Sequence, residues 1–451
     1  MQNYIVDFTS SFVIFTIVGL FICRLVENII LGLDRIKLNK KEKIEEIKSI
    51  HPLLNEKLDE EKIARIAEYN SDCEFLNIAS DKIRSSFTVP LFLFGILSFG
   101  FSWIVANFTF IDIPGRLLIA STIYALFKSI VNVPCELYSD FRLEKKYGFS
   151  NMTGSLFVKD FLKHTVVSFV ISGIGIYALF YILKYALNID GLVLSNNIIN
   201  PVVVVGLVGI NILFDLILSP VYMYFIDPLF NKFQKIESGE LKDKMEKLVE
   251  KSGRTFSGIY VIDESKRSNH LNAYCNTIPF TNVTRIVIFD NLMKKLTTDE
   301  IVAIFAHELT HMRNHDCTRG MIVGIVPALL SGLIISLFAL DVNMFHAFGL
   351  RWITQENVKD FALVGISMSS LLASSVLWIL NPLFSWFSRR MEYKADEGAV
   401  SLCGNSEDLM TALIKLYMND LGDVLTHPVY EMWYHSHPAI VNRLKAIKEV
   451  R

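Results

Sequence analysis

The chain lacks any clustering of cysteine. Cys23, Cys73, Cys135, Cys275, Cys317 and Cys403 are its six, scattered and with no CxxC pair, which excludes a disulfide framework and a zinc knuckle. It also lacks an excess of positive charge. With 44 Lys+Arg against 46 Asp+Glu the net charge is -2, so no global field exists to neutralise phosphates and nucleic acid is excluded as a partner. No internal repeat or low-complexity tract is present. The opening stretch "MQNYIVDFTSSFVIFTIVGLFICRLVENIILGL" has no basic leader, so its apolar run is expected to be a retained membrane span and not a cleaved signal peptide.

What the chain has instead is apolar length. Its 451 residues are 52% hydrophobic with a mean hydropathy of +0.38, too greasy for an ordinary soluble domain. Apolar runs of about 20 residues, the length that crosses a bilayer, fall at about 8–31, 87–108, 116–134, 164–188, 199–226, 321–340 and 361–384. The expected fold class is therefore an α-helical polytopic membrane protein with about seven transmembrane helices. Lys128, inside the third run, must snorkel or face a polar interior.

Lys and Arg set the orientation. The segment 32–86 carries eleven (Arg35, Lys37, Lys40, Lys41, Lys43, Lys48, Lys57, Lys62, Arg65, Lys82, Arg84), whereas the tail before the first span and the segment 189–199 carry none. The positive-inside rule puts 32–86 on the cytosolic side, and with it 135–163, 227–320, 385–451 and the C-terminus. The expected organisation is residues 1–226 with five membrane helices, a cytosolic α/β unit at 227–320, two more membrane helices at 321–384, and a cytosolic C-terminal part at 385–451. Within 227–320, "LKDKMEKLVEKSG" reads as an amphipathic helix, "GIYVID" and "RIVIFD" as strands, and "TTDE" as the cap of a second helix. "KLNKKEKIEEIK" reads as a solvated, mixed-charge helix.

That second helix carries "FAHELTHMRNHD". His307-Glu308-Leu309-Thr310-His311 is an HExxH motif. On a helix, residues i and i+4 share a face, so both imidazoles can ligate one ion while Glu308, about 100° round, reaches a metal-bound water. A hydrolytic zinc site wants a third protein ligand and an open position. His315, two turns from His307, cannot join the pair and reads as structural or supporting. "SRRMEYKADEGAV" sets Glu392 and Asp396 at i, i+4. Glu392 is a candidate third ligand, and Asp396 a candidate acceptor for the free ring N–H of a ligating histidine. Both are equally compatible with ordinary exposed carboxylates.

Taken together, "HELTHMRNHD", "SRRMEYKAD" and "HSHPAIVNRLKAI" resemble the integral-membrane zinc metalloproteases that include HtpX and the type I CaaX prenyl proteases. "YSDFRLEKKYGFSNMTGSLFVKDFLK" (138–163), "YFIDPLFNKFQKIESGELK" (224–242) and "RSNHLNAYCNTIPFTNVTRIVIFDNLM" (267–293) resemble segments of the prenyl protease branch. The departures are Lys145-Lys146-Tyr147, with one basic residue more than the pattern, and "NAYCNTIPFTN", which replaces an aromatic, glycine-bearing turn.

The resemblance implies seven helices ringing a water-filled intramembrane chamber, with the catalytic site near its cytosolic end. It implies one Zn2+ per chain on His307, His311 and Glu392, with Glu308 activating water and Asp396 orienting the site. His437 and Arg443 match positions near the scissile carbonyl and the substrate carboxylate, and Asn272 an edge-strand residue that pins the substrate backbone. The implied activity is removal of the last three residues of proteins ending in a prenylated cysteine, with a second, N-terminal cut in some members. Membrane lipids and prenylated CaaX proteins are the implied partners, a monomer the expected state, and the endoplasmic reticulum the implied membrane. An HtpX-like quality-control protease is the alternative; the span count and the 138–163 match argue against it. A metal-binding transporter is a weaker reading, because ionisable residues inside the spans are few.

Overall fold

A computed structural model describes residues 4–35, 40–187, 201–236, 238–253, 258–281 and 283–450. Lys37 and the charge-poor stretch 189–199, both used above to set orientation, lie outside the described residues. Among the described residues six helices are long and apolar enough to cross a membrane: Ser11–Asp34, Ile113–Tyr147, Gly154–Ala186, Val204–Phe230, Asp316–Phe338 and Val358–Trp378. A seventh span is broken. Helix Glu60–Leu93 continues into Ile96–Asn107 only after a 60° bend, where the sequence predicted one uninterrupted run over 87–108. Pro90 removes a ladder hydrogen bond just before the break, and Gly95 turns the chain in the left-handed region at φ 70°. A Cβ at Gly95 would lie 2.0 Å from the carbonyl oxygen of Tyr4, so no other residue fits that corner.

The spans are apolar on their outer faces, as lipid contact requires; Phe21, Phe169, Ile174 and Val205 all stand exposed. Their inner faces are not uniformly so. Between Ile113–Tyr138 and Gly154–Ala186 lies a cavity of about 660 Å3 lined by Ser129, Glu136, Asp160, His164 and Ser168 among others. Lys128 is exposed, with Nζ 5.6 Å from the centroid of the Tyr124 ring. At one end the segment 341–361 packs Phe345, Phe348, Ile353 and Phe361 against Val6 and Val13.

At the other end a four-stranded sheet of order β1-β2-β4-β3 forms from β1 Phe233–Lys235, β2 Gly258–Ile262, β3 Ala273–Thr277 and β4 Thr284–Phe289. The β2–β4 pair is parallel, and β3 runs antiparallel to β4 as an edge strand. The sequence showed β2 and β4 by their runs of β-branched residues; the short β1 and the polar β3 carry no such signal. Helix Glu240–Ser252 buries Met245, Leu248 and Val249, as its apolar spacing predicts.

One expectation needs correcting. The mixed-charge segment does form a helix, Lys40–Ile50, but it is not simply solvated. Ile47 and Ile50 sink into the core shared with Met245, Ile286, Phe305 and Leu309. Leu143, Tyr147 and Phe149 join the same core, so segments distant in sequence pack onto the catalytic unit.

Candidate active site

The ligand helix Thr298–Arg313 begins with a complete capping box. Thr297 Oγ1 accepts from Glu300 N–H at 3.3 Å, and Glu300 Oε2 accepts from Thr297 N–H at 2.9 Å. Two orphan donors are thereby satisfied, and the helix register behind His307 and His311 is set. Asp299 and Glu300 complement the helix dipole, and Ile301, Ile304, Phe305 and Leu309 bury the rear face. The helix ends at Asn314, and His315 turns the chain at φ 55° into the membrane helix Asp316–Phe338.

The other ligand helix, Asn381–Cys403, follows the last span and packs against the first along its length. The two approach closely at Gly398. A Cβ there would stand 2.3 Å from Thr310 Cγ2 and 2.8 Å from Thr310 Oγ1.

This packing brings three ligand atoms together. His307 Nε2 and His311 Nε2 are 3.2 Å apart. His311 Nε2 lies 3.3 Å from Glu392 Oε1, and His307 Nε2 lies 3.5 Å from Glu392 Oε2. Ligands held at about 2.0–2.1 Å around a tetrahedral zinc lie about 3.3 Å from one another, so these separations have the right size, with one Glu392 oxygen toward each imidazole. Glu392 Oε2 is buried with no hydrogen-bond partner, a costly state that a cation relieves. These three residues fit a metal ion with an open fourth position.

Carboxylates back both imidazoles. Asp396 Oδ1 is 2.9 Å from His307 Nδ1, where the sequence expected an orienting group. His311 Nδ1 is paired at 2.9 Å with Asp316 Oδ2, which sequence reading missed. Asp316 was in view as the last letter of "FAHELTHMRNHD", but only the left-handed turn at His315 swings it back beneath His311. His315 itself takes no ligand position.

The electrostatics follow from this crowding. Burial by itself would lower His311, yet Asp316 and Glu392 outweigh it and hold the ring at about 10. Burial would raise Glu392, but His307 and His311 hold its carboxyl well below the usual range. Asp396 is likewise kept low, against burial, chiefly by Arg443. Glu308 goes the other way: burial pushes it up, and His307 and His311 only partly oppose the rise. Among the described residues no hydrogen bond engages its carboxylate.

Arg443 is buried and grips Asp396 with Nε at 2.8 Å and Nη2 at 2.6 Å, while Nη1 stands 3.8 Å from Glu392 Oε2. His437 is mostly exposed, with Nε2 3.5 Å from Glu392 Oε1. Asn272 lies apart, exposed at the residue before β3, with Oδ1 accepting from Ala273 N–H at 2.9 Å.

Known proteins match this arrangement. Residues 235–451 match peptidase family M48, and residues 42–232 match the family described as CAAX prenyl protease N-terminal, five membrane helices. CAAX prenyl protease 1 of Saccharomyces cerevisiae is 32% identical over 332 residues, 71% of this chain and 70% of that protein. It belongs to peptidase family M48, with the CAAX prenyl proteases. The Arabidopsis thaliana CAAX prenyl protease 1 homolog is 28% identical over 396 residues, 86% of this chain and 88% of that one. The crystal structure of S. mikatae Ste24p superposes with a TM-score of 0.78 at 27% identity, covering 95% of this chain and 98% of the other. The peptidase is thus a multi-pass membrane metalloprotease. Counting the bent pair as one, the described residues hold five spans before residue 232, four of them within the matched segment 42–232.

Proposed function

We propose that this peptidase is a zinc enzyme of the endoplasmic reticulum membrane that works on its cytosolic face. It removes the C-terminal three residues of prenylated CaaX proteins, with a second N-terminal cut as a further activity. The observation that carries the reading is the His307–His311–Glu392 triangle at the end of two membrane spans, in a chain whose relatives are named for prenyl proteolysis.

A zinc ion there supplies Lewis acidity and a water of near-neutral pKa. Glu308, its pKa raised by burial, takes the proton from the attacking water and delivers it to the leaving amine. Asp396 and Asp316 hold the His307 and His311 rings so that both Nε2 atoms face one point. His437, exposed beside Glu392, donates to the developing oxyanion. Arg443 has spent two of its three nitrogens on Asp396, which supports a positioning role ahead of substrate contact. Asn272 lies at the entry to an edge strand, where an extended substrate could add. An aqueous site at a membrane surface suits a substrate whose lipid partitions into the bilayer.

The test is cleavage of one CaaX peptide with and without its prenyl group, reading product masses, by the wild-type peptidase and Glu308→Gln. Prenyl-dependent release of the last three residues, lost in Glu308→Gln with zinc still bound, is expected. Equal cleavage of both peptides would favour quality-control proteolysis instead.

A further inference from the structure

Beside the catalytic helix lies a cavity that this chemistry does not use. It holds about 570 Å3 between membrane helices Pro201–Val221 and Asp316–Phe338, and Cys275, Asn276 and Thr277 of β3 close one end. The same strand packs against the HExxH helix, so the cavity adjoins the cleavage site. Its walls are largely apolar, with Ile212, Leu218, Met321 and Ile325. The polar atoms at the strand end are mostly occupied with one another. Ser219 Oγ and Cys317 Sγ both donate to the Thr277 carbonyl at 3.4 Å, and Thr277 Oγ1 is 3.0 Å from Thr284 Oγ1.

Asn276 is the exception. Its Nδ2 is buried and has no hydrogen-bond partner among the described residues. A native fold keeps such a donor where something outside the chain satisfies it. The residue lies in strand β3, within the segment "NAYCNTIPFTN". Opposite it, Gly320 and Gly324 leave a slot one turn long. A Cβ at either would meet nothing within 4 Å. The volume falls in the range of about 300–1,000 Å3 that accommodates whole small ligands, more than one aliphatic side chain needs.

We propose that this cavity seats the isoprenoid of the substrate, and that Asn276 sets its register by donating Nδ2–H to a backbone carbonyl of the lipid-bearing segment. The inference rests on the prenylated-substrate reading above and adds to it the residues that select lipid length. Gly320 and Gly324 set the depth available to the chain; Asn276 ties the peptide to its mouth.

One peptide sequence carrying geranyl, farnesyl or geranylgeranyl, or no lipid, is cleaved by the wild-type peptidase, Gly324→Leu and Asn276→Leu, with zinc content and thermal midpoint measured for each. With folding and zinc retained, Gly324→Leu should lower kcat/KM for the geranylgeranyl peptide roughly tenfold or more relative to the geranyl peptide. Asn276→Leu should raise KM for every prenylated peptide by about tenfold. An equal effect of Gly324→Leu on all three lipids, or none, overturns the assignment of the cavity. An unchanged KM in Asn276→Leu overturns the role of that amide. Equal cleavage of lipidated and unlipidated peptide by the wild-type peptidase would instead sink the reading on which this one rests.

Discussion

Arg443 holds Asp396 through two hydrogen bonds, at 2.8 and 2.6 Å, and both side chains are buried. Since Asp396 also stands 2.9 Å from His307, and Arg443 Nη1 3.8 Å from Glu392 Oε2, the C-terminal helix Ile440–Glu449 reaches the metal site through Arg443. Truncating Arg443 to Ala strands a buried carboxylate, and loss of one partner of a buried pair costs about 3–5 kcal/mol. Arg443→Ala should therefore lower both the thermal midpoint and zinc affinity, whereas Arg443→Lys, which keeps the charge without the fork, should lose less. Chelator competition and thermal unfolding in detergent check this; an Arg443→Ala protein of normal midpoint and zinc affinity that is nonetheless inactive would move the residue from positioning to substrate contact.

Asp316 acts on His311 as Asp396 acts on His307. Asp316→Asn removes the charge behind the ring while keeping its size, and such partners are worth about 10–100-fold in metal affinity. Zinc titration should show that loss, with activity returning at saturating zinc. An unchanged zinc affinity would leave Asp316 as no more than a helix start.

Gly398 sets how closely the ligand helices approach. Overpacking of this kind costs about 1–3 kcal/mol, and the methyl of Gly398→Ala would strike Thr310 at 2.3 Å. The expected result is weakened zinc binding, partly restored in the double variant with Thr310→Ala. Failure of that second change to restore binding would place the damage elsewhere.

His270 links three segments. Its Nε2 is 3.1 Å from Glu144, its Nδ1 is 3.3 Å from Asp420, and its ring stacks on Phe149 at 4.2 Å. Burial opposes its charge, but the Asp420 and Glu144 carboxylates lift it from 6.5 to about 9. The folded state thus binds the proton more tightly than the unfolded one. The stability this contributes is complete below about pH 6.5 and is lost as pH rises through about 9. Thermal midpoints measured across that window should fall with pH in the wild-type peptidase and change less in His270→Gln; equal slopes would remove His270 as the cause.

The sequence alone determined those features that depend on neighbours along the chain. Apolar runs of span length, the "TTDE" cap, the HExxH face and the loop charges are all local; the catalytic helix stands where it was read, and so do the spans except the second, which bends by 60° at Gly95. Local pattern failed where the cause was distant. Ile47 and Ile50 are buried because helices Pro52–Lys57 and, from the far end of the chain, Ile440–Glu449 pack against theirs, and β3 is a strand because β4 pairs with it, despite its polar sequence. Glu392 was only one carboxylate among many until the family resemblance nominated it, because 85 positions separate it from His307. Two membrane spans bring them together, and the glycine contact at Thr310 sets how near they come. Asp316 shows the same division at short range. It lies five residues from its partner, yet a single left-handed residue, His315, decides that it faces the ring.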